Sequence, residues 1–122
     1  MSTITIPGRL PGYNQLKGRN WQQSARIKAE AMELVMWYAK ATKIPQFRSP
    51  VIIQIKCFEP DARRDPDNVI SGASKVILDA LQNMDVLAGD GRKYIAEMRT
   101  PTPEVDRKNP HVEIKIEMEE SG

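Results

Sequence analysis

The run from residue 68 to 84 constrains this chain more than any other. Wound as an α-helix, Val69, Ile70, Ala73, Val76, Ile77, Ala80, Leu81 and Met84 project within about 140° of arc, with Asn68, Ser71, Lys75, Asp79 and Gln82 opposite and Leu78 the one poor fit. So broad an apolar face needs a broad partner, and a sheet supplies it. Residues 51–58 alternate Val51, Ile53, Ile55 and Cys57 against Ile52, Gln54, Lys56 and Phe58. Residues 111–119 point Val112, Ile114, Ile116 and Met118 inward and Glu113, Lys115, Glu117 and Glu119 outward. Shorter strands are expected at 3–7 and at 93–100, the latter with Tyr94, Ala96 and Met98 on one face. A second helix over about 20–40 turns Trp21, Ala25, Met32, Val35, Met36 and Ala39 inward and Arg26, Glu30 and Glu33 outward. Its Ile27, Leu34, Trp37 and Tyr38 fall outside the main stripe, which leaves a face for another neighbour, in the same domain or in a second subunit. The order is strand, helix, strand, helix, strand, strand. It predicts an α/β or α+β fold, one domain over 1–122, with a mixed sheet of about four strands packed on two main helices.

At 122 residues a single domain is the default, and the active site of so small a chain can require a homodimer. Cys57 is the only cysteine, which rules out an internal disulfide or a multi-cysteine zinc site and suits a small apolar strand residue. No apolar run is long enough for a bilayer and residues 1–7 are too short and polar for a secretory signal, so a soluble cytoplasmic protein is expected, with no membrane partner. A net charge of +2 conceals an asymmetry. Before Phe58, Arg9, Lys17, Arg19, Arg26, Lys28, Lys40, Lys43, Arg48 and Lys56 face only Glu30 and Glu33. That half is a candidate anion-binding surface, or a set of solvated helix charges. In and beside the Gly/Pro-rich loop 8–18, Tyr13, Asn14, Lys17 and Arg19 either approach a phosphate backbone or belong to an ordinary connector.

The chemical centre is Arg63-Arg64-Asp65-Pro66-Asp67-Asn68, between a strand and a helix. Pro66 biases Asp65 to an extended conformation, and residues two apart in an extended segment point the same way. Asp65 and Asp67 can therefore converge, and two close carboxylates repel unless a cation stands between them. Mg²⁺ suits a sparse acidic cluster of this kind, with Mn²⁺ as a substitute. Asp90, between Gly89 and Gly91, is the best third ligand. The bland alternatives are a helix N-cap for the first acids and a turn residue for Asp90. Lys75 lies about two helical turns past Asn68 and either meets a phosphate or pairs with Asp79 at i,i+4. Arg63 and Arg64 either offset the acids or clamp a neighbouring DNA phosphate.

Taken in order, Pro7-Gly8-Arg9-Leu10-Pro11 through Asn14, Asp65-Pro66-Asp67-Asn68, Lys75, Leu78-Asp79-Ala80-Leu81, Asp90 and Arg92-Lys93-Tyr94-Ile95 resemble the RusA family of Holliday junction resolvases, often encoded by phages and prophages. The resemblance implies a homodimeric, Mg²⁺-dependent endonuclease that cuts two opposed strands of a four-way junction in DNA recombination and repair. It leaves 5′-phosphate and 3′-hydroxyl ends. Asp65, Asp67 and Asp90 would correspond to its metal-binding aspartates, Lys75 to its catalytic lysine and Arg64 to a basic residue beside the site. Asn14, Lys17, Arg19, Arg63, Arg64, Arg92 and Lys93 are the expected DNA contacts. Two features depart from the pattern: the step from Asn68 to Lys75 is longer by about one helical turn, and Gly89 replaces a further acid, with Asp85 as the fallback ligand. The alternatives are a flap or fork nuclease, or a DNA-binding module without catalysis. His111, the sole histidine, gives little support to a histidine-centred hydrolase.

Overall fold

The computed structural model describes residues 2–119; residue 1 and residues 120–122 of the expected 1–122 domain lie outside the described residues. The elements are β1 (Ser2–Pro7), α1 (Tyr13–Leu16), α2 (Trp21–Ala41), β2 (Val51–Glu59), α3 (Pro66–Asn83), β3 (Ile95–Arg99), β4 (Glu104–Val105) and β5 (His111–Met118). β2 is the longest strand and the centre of the sheet. Antiparallel β5 lies on one side of it, with β1 antiparallel beyond. On the other side two parallel strands share its length, β3 against the start of β2 and β4 against Phe58 and Glu59 at its end.

One face of this mixed sheet is dry. Ile4 and Ile6 of β1, Val51, Ile53, Ile55 and Cys57 of β2 and Val112, Ile114 and Ile116 of β5 are all buried, in the period-two register expected of half-buried strands. α3 and α2 cover it, and Val69, Ala73, Val76, Ile77, Ala80 and Leu81 supply most of the helical side of the core. The other face carries half-exposed Gln54, Lys56, Glu113 and Lys115. There Phe58 and His111 stack at 4.2 Å with 10° between their planes, a structural place for the lone histidine.

The expected α+β fold and its element order hold, with additions and local corrections. The loop 8–18 contains the short helix α1, and the proline-punctuated connector after β3 contains β4. Trp21 does not face the core: it is 73% exposed, and Ala25 is exposed as well. α2 starts with Asn20 accepting a bond from the Gln23 amide, and Ser24 is the residue that turns inward, taking the Gly18 N–H on its hydroxyl. Met118 is 59% exposed because β1 stops opposite Ile116 and leaves the end of β5 without that neighbour. In β3 the buried residue is Ile95, whereas Ala96 and Met98 are exposed; a register shift between Val51 and Ile52 resets the pairing there. No helix among the described residues is long and apolar enough to cross a membrane.

Candidate active site at the start of α3

The acidic segment is positioned by a buried carboxylate. β2 ends on Glu59, which is only 5% exposed and lies on the inward parity of the strand. Arg64 folds back onto it, with Nε donating to Oε1 and Nη2 to Oε2, both at 2.8 Å, and its Nη1 donates to the Leu10 carbonyl at 3.0 Å. Arg9 adds a contact at 3.3 Å. A bidentate arginine is among the stronger ways to satisfy a carboxylate taken out of water, so the loop between β2 and α3 is closed at its base. Within it the Asp61 carboxylate accepts the Arg63 N–H at 3.0 Å.

From this clamp the chain emerges with Asp65 as N-cap of α3, extended at φ −61° and ψ 139°, and Pro66 in the first turn. The Asp65 side chain makes no capping bond. Asp67, also in the first turn and exposed, meets only the Ser71 hydroxyl, at a long 3.5 Å. The helix N-terminus favours both negative charges, yet neither carboxylate is engaged by a cation.

A second clasp brings the basic loop beside them. The Asn68 side chain accepts the Asn14 N–H at 2.8 Å. Gly72 lets the 11–13 turn rest on α3, since a Cβ there would fall 2.6 Å from the Gly12 carbonyl carbon and 2.7 Å from the Tyr13 nitrogen. Exposed Asn14 and Lys17 thus flank the start of α3, with the Lys17 ammonium 5.5 Å from the Tyr13 ring centre, and exposed Arg19 follows.

Other expected site residues lie elsewhere or are already engaged. Arg64 is committed to Glu59 and Leu10, with a side chain 15% exposed, so it is a tether and not a free clamp for DNA. Arg63 is free to reach outward, 89% exposed and 3.8 Å from Asp61. Lys75 sits two turns along α3, about 12 Å past Asp67, and pairs with Asp79 at 3.5 Å. Lys28 of α2 holds the same carboxylate at 2.6 Å. Burial pushes Asp79 up, but the bond and charge of Lys28, joined by Lys75, outweigh it and hold the carboxyl below the usual range.

Asp90 is at the far end of the domain. β3 begins beside Val51, at the start of β2, and the Ile95 and Tyr94 amides bond to the Gly91 carbonyl. α3 runs about 27 Å from Asp65 to that end, and the exposed Arg92 and Lys93 are there too. Asp85 is in the same region, held by Arg48 and Gln46 at 3.1 Å each. Within one chain the three expected aspartates therefore do not meet, and among the described residues no group of three or more His, Cys, Asp or Glu side chains is placed to hold a metal ion. Sequence reasoning missed Glu59, although the alternation 51, 53, 55, 57 extended by one step marks it as inward; it also missed Gly72 and Asn68, whose roles arise only from the chain packed against them. No protein-family model matches the chain, and no curated protein matches it.

Proposed function

We infer that the protein is a Mg²⁺-dependent endonuclease of branched DNA, of the RusA resolvase type, working as a homodimer on four-way junctions. The observation that carries this reading is the pair of exposed carboxylates, Asp65 and Asp67, set side by side in sequence at the mouth of α3 with no cation and no capping bond to occupy them. A cap accounts for neither side chain, and the rigid Glu59–Arg64 base holds the segment that bears them.

Two carboxylates fit part of a metal site; the third must come from a second copy. In a two-fold dimer with antiparallel α3 helices, the end of α3 near Asp90 of the partner subunit comes opposite the start of α3 in the first chain. Each site is then shared. A bound divalent ion supplies Lewis acidity toward the scissile phosphate and an activated water. The chain's own residues bind and orient: Asn14, Lys17 and Arg63 edge the carboxylates, and Lys75 stands along α3 where a neighbouring phosphate of the same strand would lie.

The test compares cleavage of a mobile four-way junction, a fork and a linear duplex with Mg²⁺. Junction cutting above the other two is expected; equal cutting of all three would remove the resolvase reading, and no cutting would favour a binding module. Asp67→Asn keeps a good residue for a helix start and should reduce cleavage about 100-fold or more while junction binding persists.

A further inference from the structure

A cleft of about 550 Å³ opens on the other side of the Glu59 clamp, walled by Arg9, Leu10, Pro11, Gln15, Ile27 and Arg64. Its hydrogen-bonding groups are unbalanced. Both oxygens of Glu59 are taken by Arg64, the Leu10 carbonyl accepts from Arg64 Nη1, and the Gln15 Oε1 accepts the Gly12 N–H at 2.9 Å. What remains to face a ligand is donors. The Gln15 amide N–H₂ has no protein partner among the described residues, and the Arg9 side chain, 38% exposed, makes one contact at 3.3 Å to a carboxylate already saturated. Two guanidinium groups against one buried carboxylate also leave a positive charge in excess. A pocket whose acceptors are consumed internally and whose donors are spare selects a ligand that only accepts, with negative charge.

We propose that this cleft is a phosphate subsite, in which a phosphodiester of a bound DNA strand is held by Arg9 and the Gln15 amide. Arg64 and Glu59 are positioning residues that present Arg9. The donor excess stands on the geometry alone; that the phosphate belongs to DNA rests on the nuclease reading above. Arg64 and Asp65 adjoin in the chain, so a strand seated here is led toward the carboxylate pair.

The test is binding of a fluorescein-labelled oligothymidylate to the full chain in EDTA, followed by anisotropy. Gln15→Glu keeps the acceptor for the Gly12 N–H and places a negative charge in the cleft. It should weaken binding about tenfold, clearly more than Gln22→Glu, the same charge change on the exposed start of α2. Arg9→Ala should lose about tenfold, more than Arg26→Ala outside the cleft. If Arg9→Ala does not fold, Gln15→Glu carries the test. Binding by Gln15→Glu as tight as by Gln22→Glu, or no binding by the wild-type chain, would overturn the proposal. Because no metal is present, failure here leaves the cleavage chemistry of Asp65 and Asp67 standing, and loss of cleavage in Asp67→Asn leaves the cleft standing.

Discussion

At the scale of single residues, the distinction that matters is between charges already spent on one another and charges still available. Lys28 and Asp79 are spent. The folded state holds the Asp79 carboxyl below its unfolded value, so the stabilisation is present in full above the ordinary carboxylate range and is lost as pH falls through the lowered value. Lys28→Ala should therefore cost roughly 0.5–1 kcal/mol at neutral pH. In denaturant titrations the difference from wild type should close in strong acid; a difference independent of pH would mean that Lys28 acts through packing alone. Cys57 is a simpler case: burial pushes its thiol up to about 11, aided by Glu59, so it should resist a thiol reagent at pH 8 until the protein is unfolded. Ser74 has a buried hydroxyl with no partner among the described residues. Ser74→Ala should be neutral or raise stability by up to about 1 kcal/mol, and a clear loss in thermal melting would point to a bond made by that hydroxyl.

At the scale of elements, α3 does two jobs: its apolar face closes the core, and its first turn presents the acids. The contact at Gly72 links them, because the helix backbone there touches the 11–13 turn that carries Asn14 and Lys17 toward the acids. Gly72→Ala should gain up to about 1 kcal/mol in helix propensity and lose about 1–3 kcal/mol to overpacking. The balance should be a lower melting temperature together with weaker DNA binding, and an unchanged melting temperature would show that the turn moves aside at little cost. The pattern of α3 was legible beforehand because an amphipathic helix records its buried face in its own sequence. Trp21 was misplaced for the same reason in reverse: periodicity assigns a face along a whole helix, but the first turn of α2 carries Trp21 exposed.

At the scale of the whole molecule, the length of α3 keeps Asp65 and Asp67 apart from Asp90, so catalysis of the proposed kind depends on assembly. Mixing two inactive variants tests this directly. In a heterodimer of Asp67→Asn with Asp90→Asn, shared sites would leave one site with both changes and one with none, and nicking should return. If each chain held its own complete site, every site in the mixture would be damaged and no activity would reappear. The separation of the basic residues fits the same arrangement: Asn14, Lys17 and Arg63 edge one end of α3 and Arg92 and Lys93 the other, and an antiparallel pairing would bring the two sets to one surface.

The amino-acid order by itself determined the α+β class, the two long helices and the inward registers of β2 and β5, because side-chain period and secondary structure are local properties of the chain. It also singled out Asp65 and Asp67, since proline and spacing act over two or three residues. The tertiary structure alone decided that Arg64 clasps Glu59, that Asn68 and Gly72 receive the 8–18 loop, and that Asp90 lies a helix length from the other two acids. Those are contacts or separations between segments far apart in sequence, fixed by how the sheet orders its strands and not by anything a short window of residues contains.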